Sequence, residues 1–414
     1  MSETPHSSVP GGTPPPFPSP PPPPPPPSPG TPYPAGSYPP RQAPPPAPRT
    51  GALGCAFAIS VLLNLFAGLV IVLIGCFAIL SQSGSASPLD APLHEETIGG
   101  DLASTNKVAV IRLEGVILEG LLKYVHQQIK QAARDDSVKA VVLRINSPGG
   151  SITASDDLHR RLAELRDGNP DKDTKAKPLV VSMGAMAASG GYYVAMPAQT
   201  LVAERTSLTG SIGVYASFPN VKGLADQYGV KMETIKQGEI KDSGSPFKEM
   251  TPKDRQVWQD MVDSAYNDFL AIVEKGRPDL KGKLLEKFEL KPIAAGPKQP
   301  NLGENPPKPY QRYRADGGIF TAEKALELKL IDKIGYLEDA IVAAKDAGNL
   351  GSDYQVIRYR KPLTLLNLLG VQASTTAPTG MLDPGRLRAG FTPRIWYLAP
   401  GHEVAGFLAA AESR

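Results

Sequence analysis

The chain has 414 residues, a formal net charge of +3, 41% hydrophobic residues and 44 prolines, enough for one large or two small domains. The near-neutral balance, with no basic stripe interleaved with aromatics, leaves no footprint for nucleic acid. Two cysteines, Cys55 and Cys76, form neither a disulfide framework nor a zinc pattern, and no metal or cofactor is implied.

About half of the prolines fall within the first 50 residues, including an unbroken run from Pro20 to Pro27. Such a composition favours extended polyproline II and cannot build a packed core. Residues 1–52 therefore read as a disordered cytoplasmic tail. Residues 53–80 read as a transmembrane helix, because Leu53 to Leu80 carries no charge and exceeds the roughly 20 residues needed to cross the hydrocarbon core. Arg41 and Arg49 precede it, whereas Asp90, Glu95 and Glu96 follow. The positive-inside bias then places the N-terminus in the cytoplasm and the remainder outside the cytoplasmic membrane. Leu73-Ile74-Gly75-Cys76 resembles a lipoprotein cleavage box, but Phe77 to Leu80 stay apolar where a lipoprotein turns polar, so an uncleaved anchor is expected. Cys55 and Cys76 are about 21 residues apart, roughly 30 Å along a helix, too far to bridge.

Residues 81–106 read as a polar stalk, and residues 107–350 as the folded domain. Val108 to Leu113 is β-branched and predicts a strand. A helix over 120–134 and a strand ending at Ile145 follow. A further helix over 151–166 has Leu158, Leu162 and Leu165 on one face. The strand that starts at Leu179 comes next. This alternation implies an α/β fold with a parallel sheet and crossover helices. Residues 252–275 predict an amphipathic helix with Val257, Met261, Tyr266, Phe269 and Val273 inward. Residues 278–315 lose periodicity and read as an inserted loop; helical patterning returns over 321–347. Residues 351–414 are an extension with an apolar patch, 363–369, and an aromatic one, 395–398.

Two short segments carry the chemistry. Asn146-Ser147-Pro148-Gly149-Gly150-Ser151 and Met183-Gly184-Ala185-Met186-Ala187-Ala188-Ser189-Gly190-Gly191 each follow an apolar run and precede residues able to open a helix. A glycine pair lets backbone N–H groups approach a ligand, because no Cβ intervenes. Ser189 among small residues supplies a hydroxyl. Together these are the parts of an acyl-transfer site, a nucleophile plus oxyanion donors. Gly190, directly after the nucleophile, is one donor, and the glycine pair supplies the second. Ser147 and Ser151 are rival nucleophiles on paper, although Pro148 argues that they shape a turn.

A serine needs a base. The histidines are His6, His94, His126, His159 and His402, and none lies between His159 and His402, which disfavours a Ser/His/Asp triad. A lysine serves instead when burial disfavours its ammonium form. Lys222, Lys231, Lys236, Lys241 and Lys248 all follow Ser189, and composition alone does not choose among them.

These motifs, in order with Thr209-Gly210-Ser211-Ile212-Gly213, Lys241-Asp242-Ser243-Gly244-Ser245-Pro246 and residues 317–335, resemble the protease IV (signal peptide peptidase A) family of serine peptidases. That resemblance covers roughly half the chain and implies the fold of Clp protease and the crotonases. It also implies a Ser189–Lys241 dyad, a Ser211 hydroxyl holding the lysine amine, and an oxyanion hole of Gly150 and Gly190. Substrates implied by the resemblance are hydrophobic peptides, especially signal-peptide remnants. Larger members carry tandem repeats with lysine and serine in different repeats. The single copy here implies a homo-oligomeric ring, an octamer, with active sites shared between subunits. Two other readings stay open: a crotonase-like acyl-CoA enzyme, which the outward-facing anchor opposes, and a non-catalytic membrane scaffold.

Overall fold

A computed structural model describes residues 50–82, 92–291, 308–361 and 394–402. The Pro-rich tail, the first part of the expected stalk, the centre of the expected insertion and the patch at 363–369 lie outside these residues. The chain divides into two units, Met1–Gly84 and Ser85–Arg414.

In the first unit, helix α1 (Thr50–Gln82) contains both cysteine positions. Its stretch Phe57–Ile74 is 18 residues of apolar character, long enough to cross a bilayer with its flanking turns. Phe57, Leu62, Leu65, Phe66 and Ile71 are all exposed in the unit by itself. A helix apolar on every side requires a non-aqueous surrounding.

The second unit begins with β1 (His94–Gly100), so the expected stalk ends in a paired strand. β2 (Lys107–Glu114) leads through α2 (Lys123–Arg134) to β3 (Val138–Ser147), parallel to it. After Pro148 come β4 (Gly149–Ser151) and α3 (Ile152–Asp167), which crosses to β5 (Leu179–Ala188), parallel to β3. α4 (Gly190–Tyr193) starts immediately after Ser189 and leads to β6 (Thr200–Ala203) and β7 (Leu208–Gly210), both parallel to β5. β8 (Tyr215–Ser217), α5 (Lys222–Gln227) and the long α6 (Pro252–Gly276) follow.

Both ends of the segment expected to be a loop are ordered, since β9 (Lys287–Leu290) and β10 (Tyr310–Tyr313) pair antiparallel. The pattern over 321–347 does not form one continuous helix. β11 (Ile319–Thr321) pairs with β7, α7 (Ala322–Glu327) is short, β12 (Lys333–Ile334) joins β6, and α8 (Leu337–Ala347) closes the run. β13 (Gln355–Arg360) lies parallel to β2 and antiparallel to β1. The folded unit therefore starts before residue 107 and runs past residue 350. The polar β1 holds this position partly through charge: Arg358 and Arg360 bond Glu96 and pull its carboxyl down to about 2. β14 (Arg394–Leu398) forms a separate antiparallel sheet between β4 and β8.

β2, β3 and β5 are almost continuously apolar because the sheet is covered on both faces. Period-two alternation divides their side chains. Ala109, Ile111, Val141, Leu143 and Val181 join the larger core with Leu158 and Leu162 of α3 and with Phe269 and Val273 of α6. Val108, Val110, Ala140, Val142 and Val180 face Ala340 and Ala344 of α8. Met261 of α6, expected inward, is exposed, and Val257 and Tyr266 are half-buried. Only the C-terminal half of α6 reaches the core.

Candidate active site

β5 delivers Ser189 to a sharp turn. Its backbone sits at φ 54°, ψ −118°, the conformation of the first central residue of a type II′ turn, which normally calls for glycine. A non-glycine residue held there stores about 1–3 kcal/mol and marks a site over-determined by its surroundings. Here the constraint is visible: the Ser189 N–H donates to Gly210 O at 2.8 Å, and the Tyr193 N–H donates to Ser189 O at 2.8 Å. The strand–turn–helix sequence is that of a nucleophile elbow. Ser189 is fully buried, and its Oγ has no hydrogen-bond partner among the described residues. A buried hydroxyl left unbonded costs about 1–3 kcal/mol, which is a poor arrangement for a purely structural serine.

The two glycine motifs converge on this turn. A Cβ placed on Gly190 would lie 3.1 Å from Gly150 N and 2.5 Å from Ser155 Oγ. One placed on Gly149, at φ +98°, would lie 2.6 Å from Gly190 N. Gly150 presses on Ile117, whose N–H donates to Gly149 O and whose carbonyl accepts from Ser151 N–H, each at 2.8 Å. The backbone nitrogens of Gly150 and Gly190 are thus held close together beside Ser189. Ser147 and Ser151 act as shapers of this loop: Ser147 Oγ accepts from the Gly149 N–H at 3.1 Å, and Ser151 Oγ caps α3 and donates to Glu119 at 2.6 Å.

Ser211 is the second strained serine, at φ 53°. Its N–H donates to Gly318 O at 2.9 Å and its hydroxyl to Gly317 O at 3.0 Å. It borders an open cavity of about 570 Å³ shared with Tyr215, Tyr266, Gly317 and Leu398. Neighbouring Thr209 donates to Ala187 O at 2.7 Å, which ties this turn to the nucleophile strand.

Lys241 lies on the connection between α5 and α6 and is exposed. Within one chain it is not brought to Ser189, whose Oγ is unbonded. The other lysines separate on geometry. Lys222 pairs with Asp226 at 2.6 Å, Lys236 with Asp242 at 2.6 Å, and Lys248 with Asp242 and Asp254 at 2.8 and 2.9 Å. The paired carboxylates raise the ammonium pKa of Lys222 and Lys248, the wrong direction for a base. Lys231 and Lys241 make no ion pair among the described residues. Burial does lower Lys177, but its Nζ donates to Asp135 O and Val138 O at 2.6 and 2.7 Å. It precedes β5, whereas Ser189 follows that strand's far end, about 30 Å away at roughly 3.3 Å per residue.

Neither nearby histidine bonds Ser189. His126 lies 3.6 Å from Asp157 and is lowered chiefly by burial. His159 packs its ring edge-on against Tyr193 at 5.3 Å, and burial takes it down to about 4. Sequence reasoning missed two neighbours of the site. One is Ser155, fully buried with an unbonded Oγ. The other is β14, whose aromatic content was noticed without indicating a place for it.

The family model for Clp protease matches residues 97–211. That for peptidase family S49 matches residues 171–289, a span containing Ser189, Ser211 and Lys241. A putative protease of Methanocaldococcus jannaschii is 31% identical over 70% of this chain and 85% of its own length. A putative signal peptide peptidase of Enterococcus faecium is 32% identical over 66% of this chain and 72% of its own. Protease 4 of Haemophilus influenzae is 30% identical over 61% of this chain but only 36% of its own length. With the α/β fold and the serine turn described above, these similarities place the chain in peptidase family S49, among the serine peptidases.

Proposed function

We propose that the protein is a membrane-anchored serine endopeptidase whose nucleophile is Ser189 and whose general base is Lys241. The observation that carries this reading is the strained Ser189 turn, with its unbonded Oγ beside the nitrogens of Gly150 and Gly190. Ser189 Oγ attacks the peptide carbonyl carbon while the neutral Lys241 amine takes the hydroxyl proton. The carbonyl oxygen becomes an oxyanion facing the Gly150 and Gly190 N–H groups. The C–N bond then breaks, the leaving amine receives the proton from the lysine, and water hydrolyses the ester by the same relay. Ser211 orients the lysine amine. Membership of the peptidase family favours this chemistry over acyl-CoA chemistry or a scaffold role.

Two features support a lysine supplied by a neighbouring subunit. Lys241 is exposed in the single chain, and Ser211 borders a cavity open to solvent. A closed homo-oligomeric ring, an octamer, with one shared site per interface satisfies both. Helix α1 supports an anchor in the cytoplasmic membrane, with the N-terminus cytoplasmic and the catalytic unit outside. Substrates are apolar peptides, including signal-peptide remnants, in keeping with the name of the Enterococcus faecium relative.

The test is labelling with a fluorophosphonate and hydrolysis of an apolar peptide. The label should map to Ser189, and Ser189→Ala or Lys241→Ala should each abolish hydrolysis. Full activity of Lys241→Ala, or activity lost with His126→Ala or His159→Ala instead, would overturn the dyad.

A further inference from the structure

Helix α6 has 25 residues, about 37 Å at 1.5 Å each, yet only its C-terminal half packs into the core, through Phe269 and Val273. The N-terminal half holds something else, the chain that follows Lys241. Residues 226–241 are exposed without a break, and residues 242–248 are half-buried. Lys241 is therefore the last residue of a projecting arm, and the anchorage of that arm begins at the next position.

The anchorage has an apolar and an ionic part. The Trp258 Nε1–H of α6 donates to Ser243 Oγ at 2.9 Å, two residues beyond Lys241. The Trp258 ring lies 4.6 Å from that of Phe218, and both rings press on Gly244. A Cβ there, at φ +79°, would come within 2.9 Å of Phe218 and 3.6 Å of Trp258. The Val221 N–H donates to Pro246 O at 2.8 Å, tying the far side of the same turn. Lys248 Nζ bridges Asp242 at 2.8 Å and Asp254 at 2.9 Å. Asp254 is buried in the first turn of α6, where it also accepts from the Thr251 N–H and hydroxyl. A bridge that ends on a buried, fully bonded carboxylate is fixed in place, unlike an exposed surface pair.

Asp242 gives this arrangement a chemical consequence. An uncompensated carboxylate beside a lysine favours the charged ammonium, and a charged ammonium takes no proton from a serine. Here the Asp242 carboxylate is occupied on one oxygen by both Lys236, at 2.6 Å, and Lys248, which together hold it below the usual carboxylate range. Lys241 is left without an ion pair among the described residues.

We propose that the N-terminal half of α6 positions the general base: Trp258 and Asp254 fix the root of the arm that carries Lys241, and Lys248, with Lys236, keeps the Asp242 carboxylate from capturing its amine. These are positioning residues, since none of them touches the substrate. The inference rests on Lys241 being the base, and it assigns a role to a helix face that packing alone does not require.

The test uses the full chain and follows peptide hydrolysis, with thermal melting and light scattering as controls for folding and assembly. Lys248→Gln cuts both ion pairs, and Trp258→Phe keeps a ring but removes the donor to Ser243. Each should lower kcat about tenfold and the two together about 10², the cost of displacing a catalytic group by about 1 Å, while KM stays within about twofold. Labelling of Ser189 by a fluorophosphonate should slow by the same factor, because it needs the same base. Lys248→Arg, which still spans both carboxylates, should restore kcat. A folded, assembled double variant with wild-type kcat would overturn the proposal. If the double variant does not fold, wild-type kcat in both single variants overturns it equally. Full activity of Lys241→Ala would instead remove the proposed function.

Discussion

Gly150→Ala isolates the oxyanion hole, because Gly150 does not have the positive φ that would add backbone strain of its own. The new methyl would overlap the Ile117 carbonyl oxygen and lie 2.7 Å from Ile117 N. Ile117 cannot simply retreat, since its N–H and carbonyl are both bonded to β4 at 2.8 Å. Either β4 shifts or those two hydrogen bonds lengthen, each worth about 0.5–1.5 kcal/mol net. Overpacking of this kind typically costs about 1–3 kcal/mol of stability. The larger effect falls on turnover, because moving β4 moves the Gly150 N–H away from the developing oxyanion. Loss of one such donor costs about 10²–10³ in kcat, about 2.7–4 kcal/mol. The assay is kcat on an apolar peptide, with thermal melting as the control for folding. A folded variant with kcat near the wild-type value would refute the assignment of Gly150 as a donor.

Other expectations follow from particular contacts. His159 is held down to about 4, below the unfolded value near 6.5, so the unfolded chain binds the extra proton. Stability should therefore fall as pH drops from about 6.5 towards 4, by about 3 kcal/mol at most, and His159→Phe should flatten that slope in pH-dependent melts. Lys177→Met leaves two carbonyls without their donor and should cost about 1–3 kcal/mol in denaturant unfolding, with kcat of the folded enzyme unchanged. Thr251→Ala removes the capping box with Asp254 at the start of α6 and should cost about 1 kcal/mol by the same method. Ser211→Ala should lower kcat far more than it lowers the melting temperature; equal effects would reduce Ser211 to a structural residue.

The central sheet was legible because its strands are apolar on both faces, and Leu158, Leu162 and Leu165 repeat at helical spacing. The edges were not. β1 reads His-Glu-Glu-Thr-Ile-Gly-Gly and has no β-branched run; its pairing depends on Arg358 and Arg360, over 250 residues away in sequence. β9 and β10 enclose a Pro- and Lys-rich segment that conceals their pairing. At the site, the glycine pair and Ser189 declared themselves through local composition. The positive φ of Ser189 and Ser211 did not, because serine gives no sign of the conformation that surrounding hydrogen bonds impose. Spacing never selected Lys241; family resemblance did, and the ion pairs of Lys222, Lys236 and Lys248 leave Lys231 beside it as an unpaired lysine among the described residues. The place of β14 was beyond the sequence altogether, since it joins β4 across more than 200 residues.

The central claim is a Ser189–Lys241 pair completed between subunits, and mixing two inactive proteins tests it most directly. Ser189→Ala and Lys241→Ala proteins, each without activity, are combined under conditions that allow subunit exchange, and peptide hydrolysis is followed. With random assembly into a ring, about a quarter of the interfaces regain both residues, so activity should return to about a quarter of the wild-type level. No recovery, with exchange demonstrated by differently labelled subunits, would contradict the account.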